Sequence, residues 1–136
     1  MTDTLPKLSF KQAFLLFFLN FANFKGRSTR AAYWWWMLAS FLIGGIGAPL
    51  IDLVFFDVDY ENYGLFGGLW ALITLIPNFS LTIRRLHDSN RSGWWQLLIL
   101  TIIGIIPLLW WIGISPSTQG TNKYGDQIEA GLDQKS

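Results

Sequence analysis

The sequence predicts an all-α membrane protein in which three transmembrane helices follow an N-terminal interfacial amphipathic helix. Three observations carry this reading. Hydrophobic residues make up 51% of the chain and charged residues only 14%, whereas soluble domains carry about 25% charged residues. Three apolar stretches, 33–56, 63–83 and 94–114, each exceed the roughly 20 residues with which a helix crosses about 30 Å of hydrocarbon. Basic residues gather before the first stretch and between the second and third, while Asp57, Asp59 and Glu61 occupy the connection between the first and second. A chain of 136 residues has room for a single domain, and residues 115–136 read as its polar tail.

Composition also removes whole classes of function. The absence of cysteine excludes disulfides, thiolate nucleophiles and thiolate metal sites. With one histidine in the chain, neither a metal nor a cofactor is expected. A net charge of +1 and no long basic tail give no sign of nucleic-acid binding.

In chain order, Lys7 and Lys11 precede an apolar run at 13–19 in the manner of a signal peptide. Phe24, Lys25 and Arg27 stand where a peptidase needs small side chains, so the segment is expected to be retained. Ser9 with Gln12 forms a capping-box pattern. Phe10, Phe14, Phe17, Phe21 and Phe24 then recur at helical steps on one face, although Leu15, Phe18 and Leu19 lie off that stripe. Residues 9–24 are therefore expected to lie along the inner leaflet, the alternative being a short helix tucked against the bundle.

On the first span Ser40, Gly44 and Ala48 make a small-residue face, and on the second Gly64 with Gly68, or Gly67 with Ala71, do the same. Such faces admit close helix approach in lipid, between the two spans or between copies of the chain. Asp52 falls near the outer interface. Along the second span Thr74, Asn78, Thr82 and Arg85 share one face. Pro77 frees the carbonyl of Ile73, so this polar stripe either mends a kinked helix or lines a shallow hydrated pocket. The third span has Trp94 and Trp95 at its start and Trp110 and Trp111 near its end, about 24 Å apart on a straight helix. That is the spacing of two interfacial belts, and Trp34 and Trp35 are further interfacial anchors at the start of the first span.

The connection "RRLHDSNRSGWW" at 84–95 holds Arg84, Arg85, His87, Asp88 and Arg91. The positive-inside rule accounts for its arginines by topology alone. Guanidiniums also suit anionic headgroups, and Asp88 offers a third reading, an intraprotein salt-bridge network. His87, Asp88 and Ser89 are adjacent, but a triad is defined by geometry and not adjacency, so no enzymatic chemistry is expected. Ser89 and Asn90 read as turn formers, with the next helix starting near Ser92.

Three blocks, "FKGRSTRAAYWWW" at 24–36, "RRLHDSNRSGWW" at 84–95 and "GTNKYG" at 120–125, resemble the YhaH/YhaI-like family of small bacterial inner-membrane proteins with a domain of unknown function. The family pattern falls on Phe24, Gly26, Arg27, Arg30, Tyr33 and Trp34, and in the third block on Asn122, Lys123, Tyr124 and Gly125. Ala32 stands where the family often has an acid, which removes the salt bridge or proton role of that acid. The resemblance implies a multipass inner-membrane protein and no established activity.

The expectation is a non-enzymatic membrane module with a cytoplasmic amino terminus. Its Arg84, Arg85, His87, Asp88 and Arg91 cluster, joined by Arg27 and Arg30, engages anionic lipid or a partner protein. The alternative is a subunit of an oligomeric transporter or proton-coupled channel using Thr74, Asn78 and His87. Three crossings place the tail in the periplasm. A re-entrant hairpin folded at 104–107 would return it to the cytoplasm, but its arms of about ten residues could not span.

Overall fold

The computed structural model describes residues 9–56 and 64–126, so Asp57, Asp59, Glu61 and the tail beyond Asp126 lie outside the described residues. Helix α1 runs from Phe10 to Leu19. Its capping box forms as expected, with Gln12 N donating to Ser9 Oγ at 3.3 Å and Ser9 N to Gln12 Oε1 at 2.9 Å. Asn20 ends the helix by turning its own amide onto the carbonyl of Leu16 at 2.9 Å, which leaves Phe21 and Phe24 outside the expected stripe. Phe17 stacks on Trp36 with ring centroids 3.2 Å apart, and Phe14 and Phe18 flank the same indole. The helix packs on the bundle through these rings, while Leu15 and Leu19 keep an exposed apolar face.

Helix α2, Arg30–Phe56, begins at the N-cap Thr29, whose hydroxyl accepts from Ala32 N at 3.2 Å. Its middle, Phe41–Gly47, widens into π-helical turns at Gly44, Gly45 and Gly47. Helix α3, Leu65–Asp88, returns antiparallel to it. Only part of the small-residue expectation holds. Gly44 receives the indole of Trp70, whose Cδ1 would stand 2.5 Å from any Cβ there, whereas a Cβ at Gly68 would meet nothing within 4 Å. The helices therefore pack knob into hole at Gly44 and do not join glycine face to glycine face.

At the far end of the pair Asp52 has a structural duty. The N-cap of α3 is Gly64, which has no side chain to offer. Asp52 reaches across from α2 and accepts from Phe66 N at 2.9 Å and Gly67 N at 3.1 Å. A carboxylate at a helix N-terminus satisfies orphan donors and complements the helix dipole. The carboxylate fills the space where a Gly64 Cβ would project.

Helix α3 continues one turn beyond the expected boundary, so Arg84 to Asp88 belong to the helix and not to a loop. It closes in a Schellman motif: Asn90 adopts φ 58°, Asn90 N donates to His87 O at 2.9 Å and Arg91 N to Leu86 O at 2.9 Å.

The third stretch does not form one straight helix. A 3-10 helix, Gly93–Leu100, meets an extended Thr101 (φ −118°, ψ 133°) and then helix α4, Ile102–Ile114, whose last residues, Trp110–Ile114, are π-helical. Arms of these lengths rise about 16 and 20 Å, short of the roughly 30 Å of hydrocarbon. The tryptophans expected at opposite interfaces lie side by side, with the rings of Trp95 and Trp111 edge to face at 5.4 Å. Thr101 makes the reversal tolerable by donating to Leu98 O at 3.0 Å and accepting from Gly104 N at 3.1 Å, so that these two backbone groups are paired at the bend. Gly104 is required there, because a Cβ would collide with that hydroxyl.

The described chain thus holds two helices of spanning length and a hairpin of two shorter helices, bent three residues before the position considered from sequence. The expectation of a tail opposite the arginine cluster is corrected by the same geometry: Ser115 and Thr118 bond Arg85 and Asp88 at the end of α3.

Two outcomes follow. In the cysteine-free background, Lys25→Cys and Thr121→Cys, both exposed, will react with an impermeant thiol reagent from the same side of sealed vesicles. Labelling from opposite sides would reject the hairpin. Asp52→Ala will destabilise the bundle by about 1–2 kcal/mol in detergent unfolding, the worth of an N-cap, and adding Gly64→Ala to it will cost less than Gly64→Ala alone costs in the parent.

Candidate functional site

The last turn of α3 gathers all three sequence blocks around one carboxylate. Asp88 is fully buried. Its Oδ1 accepts from Arg27 Nε at 2.9 Å, and its Oδ2 from Arg85 Nη1 at 2.9 Å and from Ser117 Oγ. Its backbone carbonyl accepts from Thr118 N at 2.8 Å. The intraprotein network, one of three readings left open by the sequence, is therefore formed.

Each guanidinium spends its remaining donors on carbonyls. Arg27 Nη1 reaches Gly120 O at 2.6 Å, and its Nη2 reaches Thr118 O. Arg85 donates from Nε to Ile112 O at 2.8 Å and from Nη2 to Ser115 O, at the C-terminal end of α4, where the helix dipole favours a cation. Arg84 turns the other way. Its Nη1 donates to Asn20 O at 3.1 Å and Asn23 O at 2.6 Å just past α1, and its Nε to Ser28 Oγ at 3.1 Å. All three arginines are buried.

His87 Nδ1 lies 3.0 Å from Gly26 O, and its ring stacks on Tyr124 at 3.9 Å, nearly parallel. The third block forms a tight turn closed by Asn122 N to Gly125 O at 2.9 Å. Asn122 Nδ2 then donates to His87 O at 3.0 Å. Arg91 sits over the Trp111 ring at 4.2 Å with its Nε buried and unpartnered. Arg30 is exposed and donates to Ile114 O at 3.1 Å.

Of the sequence candidates, Arg27, Arg85 and Asp88 meet directly, Arg84 and His87 flank them, and Arg30 and Arg91 stand at the periphery. The polar stripe is used internally. Thr74 bonds Trp70 O at 2.7 Å, Thr82 bonds Asn78 O at 2.9 Å, and Asn78 Oδ1 accepts from Trp36 Nε1 at 2.7 Å. None of these is a bond to Ile73 O, the carbonyl that one of the two readings had them mend. Among the tryptophans, Trp34 bonds Gly113 O at 2.9 Å and so ties α2 to α4, while Trp35, Trp94 and Trp110 are exposed. Sequence reasoning missed Ser117, Thr118 and Ser28, for which the only signal was a hydroxyl near a motif. No group of three or more potential metal ligands occurs among the described residues.

Asp88→Asn leaves two buried guanidiniums without a counter-charge and will cost about 3–5 kcal/mol in unfolding measurements. Arg85→Lys will not rescue an Arg85→Ala defect, because an ammonium cannot serve the carboxylate and two carbonyls in fork geometry.

The comparisons agree with the motif resemblance. Residues 21–126 match the family model described as "Protein of unknown function (DUF805)". Inner membrane protein YhaI of Escherichia coli (strain K12) is 30% identical over 125 residues, covering 88% of this chain and 98% of that protein. Inner membrane protein YhaH of the same strain is 29% identical over 111 residues, 78% of this chain and 87% of that protein. The uncharacterized protein YiiR, also of that strain, is 29% identical over 132 residues, 79% of this chain and 86% of its own length. No solved structure matches the chain. With its apolar helices of spanning length and its three motif blocks folded onto one aspartate, the chain is a membrane protein that belongs to the DUF805 family.

Proposed function

We propose that the chain is a non-enzymatic, multipass module of the bacterial inner membrane whose motif-bearing end faces the cytoplasm and holds anionic lipid headgroups. The observation that carries this reading is the distribution of charge at that end. Arg27 and Arg85 are buried against a single carboxylate, Asp88, and Arg84 is buried beside them on carbonyls and hydroxyls, so the interior of the site keeps a surplus of positive charge. Around it Lys25, Arg30 and Lys123 are exposed, and Arg91 retains an unpartnered Nε. The buried arginines act as scaffold, and the outer cations make the lipid contacts. The acidic connection 57–63 lies in sequence between the other ends of α2 and α3, an asymmetry that supports the cytoplasmic placement.

Each cation near an anionic surface contributes roughly 1 kcal/mol. Native mass spectra of the protein released from mild detergent, with phosphatidylglycerol and phosphatidylcholine offered together, test the reading. The triple variant Lys25→Gln/Arg30→Gln/Lys123→Gln will lose phosphatidylglycerol retention by about tenfold or more while holding phosphatidylcholine as before. Equal retention of phosphatidylglycerol by parent and variant would reject the headgroup role.

A further inference from the structure

Between α3 and the 3-10 arm lies a groove of about 450 Å³, within the roughly 300–1,000 Å³ of small-molecule sites. The arm approaches α3 closely because Gly93 has no side chain: a Cβ there would stand 2.7 Å from Ile83 Cγ2. Phe24, Phe79, Leu97 and Leu100 supply apolar walls, and His87 and Ser92 supply polar ones.

These residues sort by chain direction. From Phe79 to His87, α3 runs toward the motif-bearing end, and from Ser92 to Leu100 the arm runs away from it. The polar pair therefore marks the interfacial end of the groove, and Phe79 with Leu100 marks the hydrocarbon end. His87 refines the chemistry. Its Nδ1 faces the carbonyl of Gly26, which can only accept, so Nδ1 carries the proton and Nε2 of the neutral ring is an acceptor. Nε2 has no hydrogen-bond partner among the described residues.

We infer that this groove holds one acyl chain of a membrane lipid whose head carries a hydroxyl that donates to His87. The occupant follows from the surroundings. Leu97 and Leu100 are exposed at the groove in a membrane protein, whose apolar surface meets hydrocarbon, and at the polar end His87 offers an acceptor beside the hydroxyl of Ser92 and the amide of Gln96. The inference does not use Lys25, Arg30 or Lys123, so a neutral probe separates it from headgroup binding by charge.

The full chain is placed in phosphatidylcholine nanodiscs containing a trace of diacylglycerol with a diazirine on one acyl chain, or phosphatidylcholine with the same labelled chain. After irradiation, cross-linked residues are mapped by mass spectrometry, with Val54 and Phe55, exposed on α2, as the reference for bulk lipid contact. The diacylglycerol probe will label Phe79, Leu97 and Leu100 above that reference. It will also exceed the phosphatidylcholine probe there by about fivefold, the worth of one net hydrogen bond. Leu97→Trp, which fills the groove, will abolish the excess at Phe79 and leave Val54 labelling unchanged. Labelling no higher than at Val54 and Phe55, equal labelling by the two probes, or an excess that survives Leu97→Trp would each overturn the inference. The comparison of probes on the parent protein decides without the variant.

Discussion

Asp88 is a buried carboxylate held between the guanidiniums of Arg27 and Arg85, each at 2.9 Å, and the packing of everything at this end of the molecule depends on it. Taking three ions out of water costs several kcal/mol each, and the return is adequate only when the remaining donors are also satisfied. Here they are, because the carbonyls of Ile112, Ser115, Thr118 and Gly120 converge on the two arginines. The requirement runs in both directions. Those carbonyls belong to the end of α4 and to the tail, so the tail cannot leave without orphaning the charges, and the charges cannot be buried unless the tail is present.

The adjacency of Arg84 and Arg85 acquires a reason from helix geometry. Consecutive residues on a helix of 3.6 per turn project about 100° apart. Arg84 therefore reaches the carbonyls beyond α1, and Arg85 reaches those that close α4. One pair of neighbouring side chains grips two different segments at their C-terminal ends, where helix dipoles offset the charge that Asp88 alone does not. Asp52 does the complementary thing at the opposite end, an anion on the N-terminus of α3. Asp52 thus caps the start of α3 with the sign its dipole favours, while Arg84 and Arg85 from its last turn hold the ends of α1 and α4.

Much of this was legible in the sequence. Span lengths gave α2 and α3, the Ser9 and Gln12 pair gave the start of α1, and the three motif blocks named the residues that meet. What sequence could not supply was direction. Trp94, Trp95, Trp110 and Trp111 have the spacing of a single crossing, and only the extended conformation at Thr101 reveals that Trp95 and Trp111 touch. Periodicity is insensitive to one residue leaving the helix, and Thr101 and Gly104 are unremarkable until the hydroxyl is seen capping the bend. The end of α3 is hidden for a related reason, because a run of charge reads as a loop although a buried ion pair is compatible with a helix. Ser117 and Thr118 lie beyond any apolar or charged pattern, so nothing in the chain marked them as partners of Asp88.

The hairpin explains why so costly a polar cluster belongs in a membrane protein of this size. Its tip, with Leu100, Ile102 and Ile103, is almost fully exposed. In lipid such exposure carries no penalty, and equally the burial of apolar side chains between helices gives little driving force. Two arms too short to cross the bilayer cannot be fixed by their own length, as α2 and α3 are. They must be anchored at the base, and the anchors available there are polar: Arg85 on Ile112 and Ser115, Trp34 on Gly113, Arg30 on Ile114 and Arg91 over Trp111. Hydrogen bonds and ion pairs that would be marginal at a wet surface become directional constraints when buried, and direction is what a hairpin of two short arms needs.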